Sequence, residues 1–172
     1  MSFFRVIRVY VIDYDEDDPK KCTGKKMVRM KLALLTDRPK GLVLDPYSEL
    51  PVSINDREIV MKAGVTVVDA SWNKLNEKKF PKSKFSRRLP FLIAGNPINY
   101  GIGYKLSSVE AVFAALYIMD FVEDAMKYLG TYKWMETFYT LNMELLEEYK
   151  GKTVQEILQA ERKILNKYIG AP

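Results

Sequence analysis

The first half of the chain alternates short apolar runs with polar turns, whereas the second half has apolar residues at helical spacing. Four runs are rich in β-branched and aromatic residues and are predicted to form strands, at residues 4–14, 42–46, 65–72 and 89–94. Arg5 and Arg8 interrupt the first run, which favours a partly exposed strand over a central one. Residues 25–35 and 55–62 are predicted to be helical, and Gly64 ends the second of these helices. Strands that alternate with helices indicate an α/β fold with a mainly parallel sheet.

Three further helices are predicted after residue 107. Ser107 and Glu110 form a capping box at the start of the first, and the second follows a turn at Gly130. Thr153 and Glu156 form another capping box at the start of the third. The carboxyl-terminal part of the chain is therefore predicted to be all-α.

Two aromatic residues of the second of these helices, Trp134 and Phe138, could stack on nucleic-acid bases. Aromatic residues at helical spacing more often face a hydrophobic core. Both are therefore assigned to the core.

Residues 89–111 join the two halves of the chain. They begin as an apolar run, continue through a loop with Gly95, Pro97, Gly101 and Gly103, and end at the capping box of a helix. Open α/β proteins bind ligands where strand ends meet helix N-termini, so this stretch is a candidate ligand site. On the pattern alone an ordinary domain junction is slightly favoured, and the family resemblance given below tips the balance to a ligand site.

The composition excludes several kinds of chemistry. The 172 residues include no histidine and one cysteine, Cys22, which excludes histidine bases, Ser-His-Asp triads, histidine or thiolate metal sites and internal disulfides. The acidic residues 13–18 lack a regular ligand spacing and are interpreted as a solvated loop, so no metal site is predicted. No apolar run approaches the length of a membrane span, which predicts a soluble, cytoplasmic protein.

Positive charge is concentrated in two blocks. The net charge is +5, and residues 20–31 and 78–88 carry six Lys or Arg residues each, with no acid. Such blocks are the electrostatic footprint of a protein that binds nucleic-acid phosphates. Most charge runs are solvated surface lysines, but two blocks that flank one candidate pocket favour RNA or DNA as the partner.

Five segments along the chain match a known family when they are taken together. In order, they are DPKKCTGKK at 18–26, LVLDP at 42–46, VVDASW at 67–72, LPFL at 89–92 and NPINYG at 96–101. The combination resembles the ribosome-biogenesis aminocarboxypropyltransferases that modify small-subunit ribosomal RNA, and the resemblance covers nearly the whole chain. Asp45 stands where relatives often have serine, and Ala70 where many have cysteine. Neither departure removes a side chain that the implied chemistry needs.

The resemblance implies a SPOUT-like α/β domain over residues 1–95, whose carboxyl half is tied into a deep trefoil knot. It also implies a helical carboxyl-terminal domain over residues 96–172. It implies that S-adenosylmethionine binds in the knot and donates its 3-amino-3-carboxypropyl group. The implied acceptor is ring nitrogen 3 of a hypermodified uridine, commonly 1-methylpseudouridine, in small-subunit rRNA or a pre-ribosomal particle, and methylthioadenosine is the co-product. A monomer without a membrane partner is expected.

The resemblance also assigns site residues. The implied cofactor-binding residues are Thr23, Leu44, Val68, Asp69, Trp72, Leu89, Leu92, Tyr104 and Ser108. Trp72 is expected to wall off the methyl group, and Thr23 to bind the amino-acid end of the cofactor. Asp69 is the candidate catalytic residue, and two roles are open to it: ribose binding, or attraction of the acceptor proton. The expected RNA-binding residues are Lys20, Lys21, Lys25, Lys26 and Arg29.

Two alternative functions remain open. One is an RNA methyltransferase that uses the same cofactor pocket and presents the methyl group instead. The other is a non-catalytic ribosome-assembly module whose basic blocks bind rRNA.

Overall fold

The computed structural model describes residues 6–14, 23–69 and 80–168, and every structural statement below refers to these residues. Their strands form one sheet in which every pairing is parallel, in the order β2-β1-β4-β3-β5. The strands are β1 (Val9–Asp13), β2 (Leu34–Leu35), β3 (Leu42–Leu44), β4 (Val65–Asp69) and β5 (Ser86–Arg87). The predicted α/β fold with a parallel sheet is confirmed.

Helices connect the strands and follow the sheet. Helix α1 (Thr23–Arg29) lies between β1 and β2, and a 3-10 turn (Ile54–Asp56) leads into α2 (Arg57–Ala63) between β3 and β4. After the sheet come α3 (Ser108–Ile118), α4 (Val122–Met126), a 3-10 turn (Leu129–Thr131), α5 (Trp134–Tyr149) and α6 (Val154–Tyr168). The short helix α4 was not predicted. Within the described ranges, none of these helices has the length and apolar character that a membrane crossing requires.

Both predicted capping boxes are present. The Ser107 side chain accepts a hydrogen bond from the Glu110 backbone N–H, and the Glu110 carboxylate accepts one from the Ser107 N–H. Thr153 and Glu156 make the same reciprocal pair at the start of α6. The predicted end of α2 at Gly64 is also confirmed, because Gly64 has a φ of 86° and its N–H bonds to the Val60 carbonyl.

The arginines of the first apolar run predicted a partly exposed strand, and this prediction is wrong. β1 lies between β2 and β4 in the sheet, and its first four residues are buried. Arg8 precedes the strand and donates a hydrogen bond to the Lys62 carbonyl, and Arg5 lies outside the described residues. The strand itself therefore carries no basic residue, and the prediction was wrong because the apolar run began before the strand did.

The helix predicted for residues 25–35 ends early. Helix α1 stops at Arg29, and Lys31 adopts a left-handed backbone with a φ of 62°. Leu34 and Leu35 then pair with β1 as the edge strand β2, and both side chains are exposed. Helical spacing of leucines was misleading here because the two leucines belong to a sheet edge.

The strand predicted for residues 89–94 is also wrong. The last strand of the sheet is β5, and residues 89–94 form no strand; their one bridge is antiparallel, between Ile93 and Gly103. The segment is apolar because it is buried between the sheet and the carboxyl-terminal helices, and Leu92 and Ala94 are fully buried. An apolar run of this length does not distinguish a strand from buried irregular chain.

Helical side chains supply much of the backbone hydrogen bonding of this segment, and the loop of residues 101–104 supplies three further bonds to Leu92 and Ala94. Asn142 of α5 accepts from the Ile93 N–H and donates to the Ile93 carbonyl, both at 2.8 Å. Tyr149 donates to the Phe91 carbonyl at 3.0 Å, and the Phe91 N–H donates to a carboxylate of α6 at 2.8 Å. The segment is therefore fixed by helices α5 and α6.

A continuous hydrophobic core extends from the sheet into the helices. It contains Val11 and Val67 from the strands, Phe113 from α3, Leu146 from α5 and Ile157 from α6, all buried. The loop of residues 95–107 thus leaves a packed segment and enters the first turn of α3. Division of the chain at residue 95 into two domains stays a prediction.

Replacing Asn142 with leucine is expected to lower the free energy of unfolding by about 2 kcal/mol or more. The N–H and C=O of Ile93 are both left without their partner, and each unpaired group costs roughly 1 kcal/mol or more in a buried setting. Urea denaturation measures the change, with Met143→Leu at an exposed neighbouring position as the control, for which a change within about 0.5 kcal/mol is expected. Equal stability of the two variants would contradict this account of the segment.

Candidate functional site

A cavity of about 970 Å³ lies at the carboxyl ends of the parallel strands. Leu44, Asp69 and Arg87, the last residues of β3, β4 and β5, all line it. Further lining comes from residues next to these strand ends, from Phe80, from the first turns of α1 and α3, from the loop of residues 96–107 and from the start of α5. This is the edge at which open parallel sheets bind ligands.

The structure brings most of the residues assigned to the cofactor together. The lining includes Thr23, Leu44, Val68, Asp69, Leu89, Tyr104 and Ser108. Leu92 is fully buried in the core instead and is not among the described lining residues. Its carbonyl accepts a hydrogen bond from the Tyr104 N–H, so it supports the wall through its backbone. Trp72 lies outside the described residues.

Three elements meet at the carboxylate of Asp69. Ser108 at the start of α3 donates a hydrogen bond to Asp69 Oδ1 at 2.7 Å. Thr23 at the start of α1 accepts one from the Val109 N–H at 3.2 Å, which ties α1 to α3. Gly24 permits the approach, because a Cβ atom at this position would lie 2.4 Å from Asp69 Oδ2. Strand β4 and helices α1 and α3 therefore place a carboxylate and two hydroxyl side chains in one corner of the cavity.

Glu110 holds both ends of the cavity loop. Its side chain is fully buried, and Oε2 accepts from the N–H groups of Gly95 (2.7 Å) and Asn96 (3.1 Å). Oε1 accepts from the Asn96 amide (2.7 Å) and from the Ser107 N–H (2.8 Å). Burial raises the pKa of Glu110 above the ordinary value for a glutamate, and the hydrogen bonds from Ser107, Asn96 and Gly95 oppose this rise. One side chain thus closes the loop of residues 95–107.

Glu161 holds a second part of the wall from the last helix. This carboxylate of α6 is 5% exposed, and it accepts two hydrogen bonds from the Arg88 guanidinium, at 3.0 and 2.8 Å. It also accepts from the Tyr104 hydroxyl at 2.7 Å and from the Phe91 N–H at 2.8 Å. Arg88 and Tyr104 both line the cavity. A helix that is distant in the sequence therefore positions two lining side chains.

The charges in this cluster are fixed by their surroundings. Burial by itself lowers the pKa of Arg88, but the hydrogen bonds and charge of Glu161 more than compensate, so that the pKa is raised. Burial and the bond to Glu161 raise the pKa of Tyr104 well above its ordinary value. Tyr104 is therefore a protonated donor at neutral pH. Its backbone is left-handed, with a φ of 67°.

The basic residues of the first block differ in their surroundings. The Nζ atom of Lys25 lies 3.5 Å from Asp13 Oδ2, and that of Lys26 lies 5.0 Å from the centre of the Tyr132 ring. Arg29 is exposed, whereas Lys20 and Lys21 lie outside the described residues.

The second basic block contributes less free charge than its composition indicates. Arg87 forms an ion pair with Asp56, with Nε 3.1 Å from Oδ1, and Arg88 pairs with Glu161. Both arginines are therefore structural members of the cavity wall. Expecting them to bind phosphates was too simple, because buried acids 31 and 73 residues away in the sequence neutralise them.

Trp134 and Phe138 were both predicted to lie in the core, and only one of them is confined to it. Phe138 is fully buried. Trp134 is half-buried, packs against the core and also lines the cavity together with Tyr132. Helical spacing identifies the side of a helix that packs inward, and it cannot show that the first turn borders a cavity.

The role of Glu161 left no local signal either, because its partners lie on loops far away in the chain.

Two family models match the chain. One is described as "Ribosome biogenesis protein, C-terminal" and matches residues 42–165, well over half of the chain. The other, "Possible Fer4-like domain in RNase L inhibitor, RLI", matches residues 7–40. Cys22 is the only cysteine of the chain, so this segment cannot supply the four thiolates that hold an iron–sulfur cluster.

Similar proteins share both the sequence and the fold. The chain is 53% identical over 167 residues to the 16S rRNA aminocarboxypropyltransferase of Sulfurisphaera tokodaii, covering 96% of this chain and all of that protein. It is 42% identical to the enzyme of that name from Methanocaldococcus jannaschii, covering 93% of this chain and 97% of that protein. The solved structure of a SAM-dependent rRNA:acp-transferase from Vulcanisaeta distributa matches with a TM-score of 0.83 at 40% identity, covering 94% of this chain and 90% of that one.

Glu161→Gln is expected to lower the free energy of unfolding by roughly 3 kcal/mol, the lower end of the cost of leaving one member of a buried ion pair alone. The neutral amide also turns an N–H group towards the donors of Arg88, Phe91 or Tyr104. Urea denaturation measures this destabilisation, and Glu144→Gln at an exposed position of α5 is the matched control. If both variants unfold at the same urea concentration, Glu161 does not organise this wall.

Proposed function

This chain belongs to the family of 16S rRNA aminocarboxypropyltransferases, and we propose that it transfers the 3-amino-3-carboxypropyl group of S-adenosylmethionine to ring nitrogen 3 of a pseudouridine or methylpseudouridine in small-subunit rRNA. The co-product is methylthioadenosine, and the reaction is a step of ribosome maturation. The observation that carries the proposal is the cavity at the strand ends, where seven of the residues assigned to the cofactor lie together.

The cavity is compatible with this donor in size and in chemistry. Its volume of about 970 Å³ is at the upper end of the range for small-molecule sites. Leu44, Val68 and Leu89 offer an apolar surface for the adenosine half, while the corner with Thr23, Asp69 and Ser108 offers hydroxyl and carboxylate groups for its polar parts. A ligand with an aromatic base, a cationic sulfur and a zwitterionic end needs this combination of surfaces.

S-adenosylmethionine supplies an electrophilic carbon next to its sulfonium, so the contribution of the protein is mainly orientation. Three carbons are bonded to that sulfur, and the residues around it decide which of them faces the acceptor. Burial of a methyl group in an apolar niche costs little, whereas burial of the zwitterionic chain there carries a large desolvation penalty. We place Trp72, by the family resemblance, at the methyl side and Thr23 at the amino-acid end.

Asp69 is the proposed catalytic residue. Its carboxylate is held by Ser108, and a carboxylate can accept several hydrogen bonds at once. Two roles agree with its place in the cavity: it accepts hydrogen bonds from the ribose hydroxyls, or it attracts the proton of the acceptor imide. An aligned electrophile needs only partial removal of that proton.

We propose that the RNA approaches over helix α1. Lys25, Lys26 and Arg29 lie on this helix, whose first residue, Thr23, lines the cavity. Together with Lys20 and Lys21 they would hold phosphates beside the group that is transferred.

The remaining features of the family resemblance are proposed for this chain as well. They are a SPOUT-like deep trefoil knot, an all-α carboxyl-terminal domain, a monomeric state and a cytoplasmic location. The parallel sheet and the four helices that follow it support this architecture.

Transfer of the correct group is tested with S-adenosylmethionine labelled in its carboxyl carbon. Incubation with small-subunit rRNA that lacks the modification is expected to label the RNA and to release methylthioadenosine, which chromatography of the nucleosides and the co-product detects. A parallel reaction with methyl-labelled cofactor is expected to leave the RNA unlabelled. Methyl transfer with release of S-adenosylhomocysteine would establish the methyltransferase alternative, and absence of cofactor binding would favour a non-catalytic assembly factor.

Binding of phosphates by helix α1 predicts a change in salt dependence. The variant Lys25→Ala, Lys26→Ala, Arg29→Ala is expected to flatten the plot of log affinity against log salt by about 0.7 to 0.9 for each phosphate that these side chains neutralise in the wild-type complex. The matched control removes three exposed cations of α6, Arg162, Lys163 and Lys167, and is expected to leave the slope unchanged. Equal slopes for the two variants would place the RNA on another surface.

A further inference from the structure

We propose that Tyr132 and Trp134 form the stacking surface on which the acceptor base of the RNA rests. The inference depends on the proposed function, because it names the part of the same cavity that receives the nucleobase. It assigns a specificity role to two residues outside the set that the family resemblance marks for the cofactor or for RNA phosphates.

The two rings already form a stacked pair. Their centroids are 4.7 Å apart and their planes differ by 21°. Both residues line the cavity, and both are half-buried. Tyr132 precedes α5 in extended conformation and Trp134 is the first residue of that helix, so the pair stands on the packed start of a long helix. Unpaired RNA bases are commonly recognised by stacking on aromatic side chains in this way.

A cation lies beside the pair. The Nζ atom of Lys26 is 5.0 Å from the centre of the Tyr132 ring, and Lys26 follows the cavity residue Thr23 by three positions in helix α1. A positive charge at an aromatic surface suits a nucleotide, whose flat base needs a stacking partner and whose phosphate needs a cation. The charge and the rings are thus within reach of the same nucleotide.

Another part of the lining is apolar and unusually exposed. Ile98 lines the cavity with 66% of its surface exposed, and Tyr100 of the same loop is 59% exposed. Exposed apolar side chains that cluster at the edge of a cavity indicate a binding surface for a partner. A nucleobase that enters the cavity from solvent would cover such surface.

The adenine ring of the cofactor is the competing occupant. The family resemblance assigns the adenosine half to strand ends, to the chain that follows β5 and to the start of α3, and not to the start of α5; the residues are Leu44, Val68, Leu89, Leu92, Tyr104 and Ser108. The aromatic pair instead adjoins helix α1, where Thr23 is assigned to the end of the cofactor that is transferred. The acceptor base must lie next to that end, so this wall is the one that fits it.

A planarity test separates stacking from other contacts. The modified nucleotide is first mapped by mass spectrometry on a hairpin RNA that the wild-type protein modifies. Two hairpins then carry either uridine or 5,6-dihydrouridine at this position, since dihydrouridine keeps the imide but lacks the flat ring.

Wild-type protein is expected to bind the uridine hairpin more tightly. Trp134→Leu is expected to weaken that binding by about 5- to 150-fold, which corresponds to the roughly 1–3 kcal/mol of one base–aromatic stack, and to remove the preference for uridine.

Three controls make the result specific. Tyr139→Leu removes an aromatic ring of the same helix that does not line the described cavity. This variant is expected to bind the uridine hairpin and the dihydrouridine hairpin with the wild-type affinities. Trp134→Phe keeps a flat ring and is expected to retain the preference for uridine. Calorimetric titration of Trp134→Leu with S-adenosylmethionine is expected to give the wild-type affinity. If Trp134→Leu does not fold, Tyr132→Leu, which lies outside the helix, takes its place with the same expectations.

Each contrary result overturns the inference in a different way. A weaker cofactor affinity in Trp134→Leu would identify the pair as the adenine site. An equal decrease in affinity for both hairpins would show that the pair does not contact the base. If wild-type protein transfers the aminocarboxypropyl group while Trp134→Leu keeps the uridine preference, the inference fails and the proposed function stands. If the wild-type protein transfers no such group to any rRNA, the proposed function itself fails.

Discussion

Buried helical side chains that bond to irregular backbone are the interaction on which the cavity depends. Residues 89–96 leave the sheet and pass through the interior, where an unpaired N–H or C=O group is costly. Glu110, Asn142 and Glu161 provide the missing partners from α3, α5 and α6. Two of them are carboxylates, and each gathers donors from several positions at once. The loops of the site are therefore as firmly determined as the elements around them.

This arrangement also explains why the polar corner of the site can be so compact. Asp69 comes from a buried strand, and Ser108 and Thr23 come from the first turns of two helices. Their mutual distances follow from the packing of α1 against β4, which Gly24 allows. Once the loop before α3 is held by Glu110, the start of α3 is restricted to one position. The geometry of the corner is thus a consequence of backbone packing.

Local patterns in the sequence were sufficient for the features that depend on local physics. The capping boxes at Ser107 and Thr153 and the helix end at Gly64 were predicted because neighbouring residues determine them. The strand prediction for residues 89–94 failed because this segment bonds to helical side chains about 50 to 70 residues away and to the irregular loop of residues 101–104, and not to a neighbouring strand. The pairing of Arg88 with Glu161 and the cavity position of Trp134 were missed for the same reason. Family resemblance, in contrast, carried the assignment of the cofactor residues, of which Leu92 is buried and Trp72 is outside the described part.

The contact of Glu161 with Arg88 and Tyr104 makes the last helix a thermodynamic partner of the cavity. A ligand that binds the folded cavity and not the opened one stabilises everything that opens with it. Local opening of α6 would release Tyr104 and Arg88, so occupancy of the cavity and amide protection of α6 are linked in both directions. The carboxyl-terminal helix can therefore serve as a hydrogen-exchange reporter of binding at strand ends that are far from it in the sequence, without any label near the site.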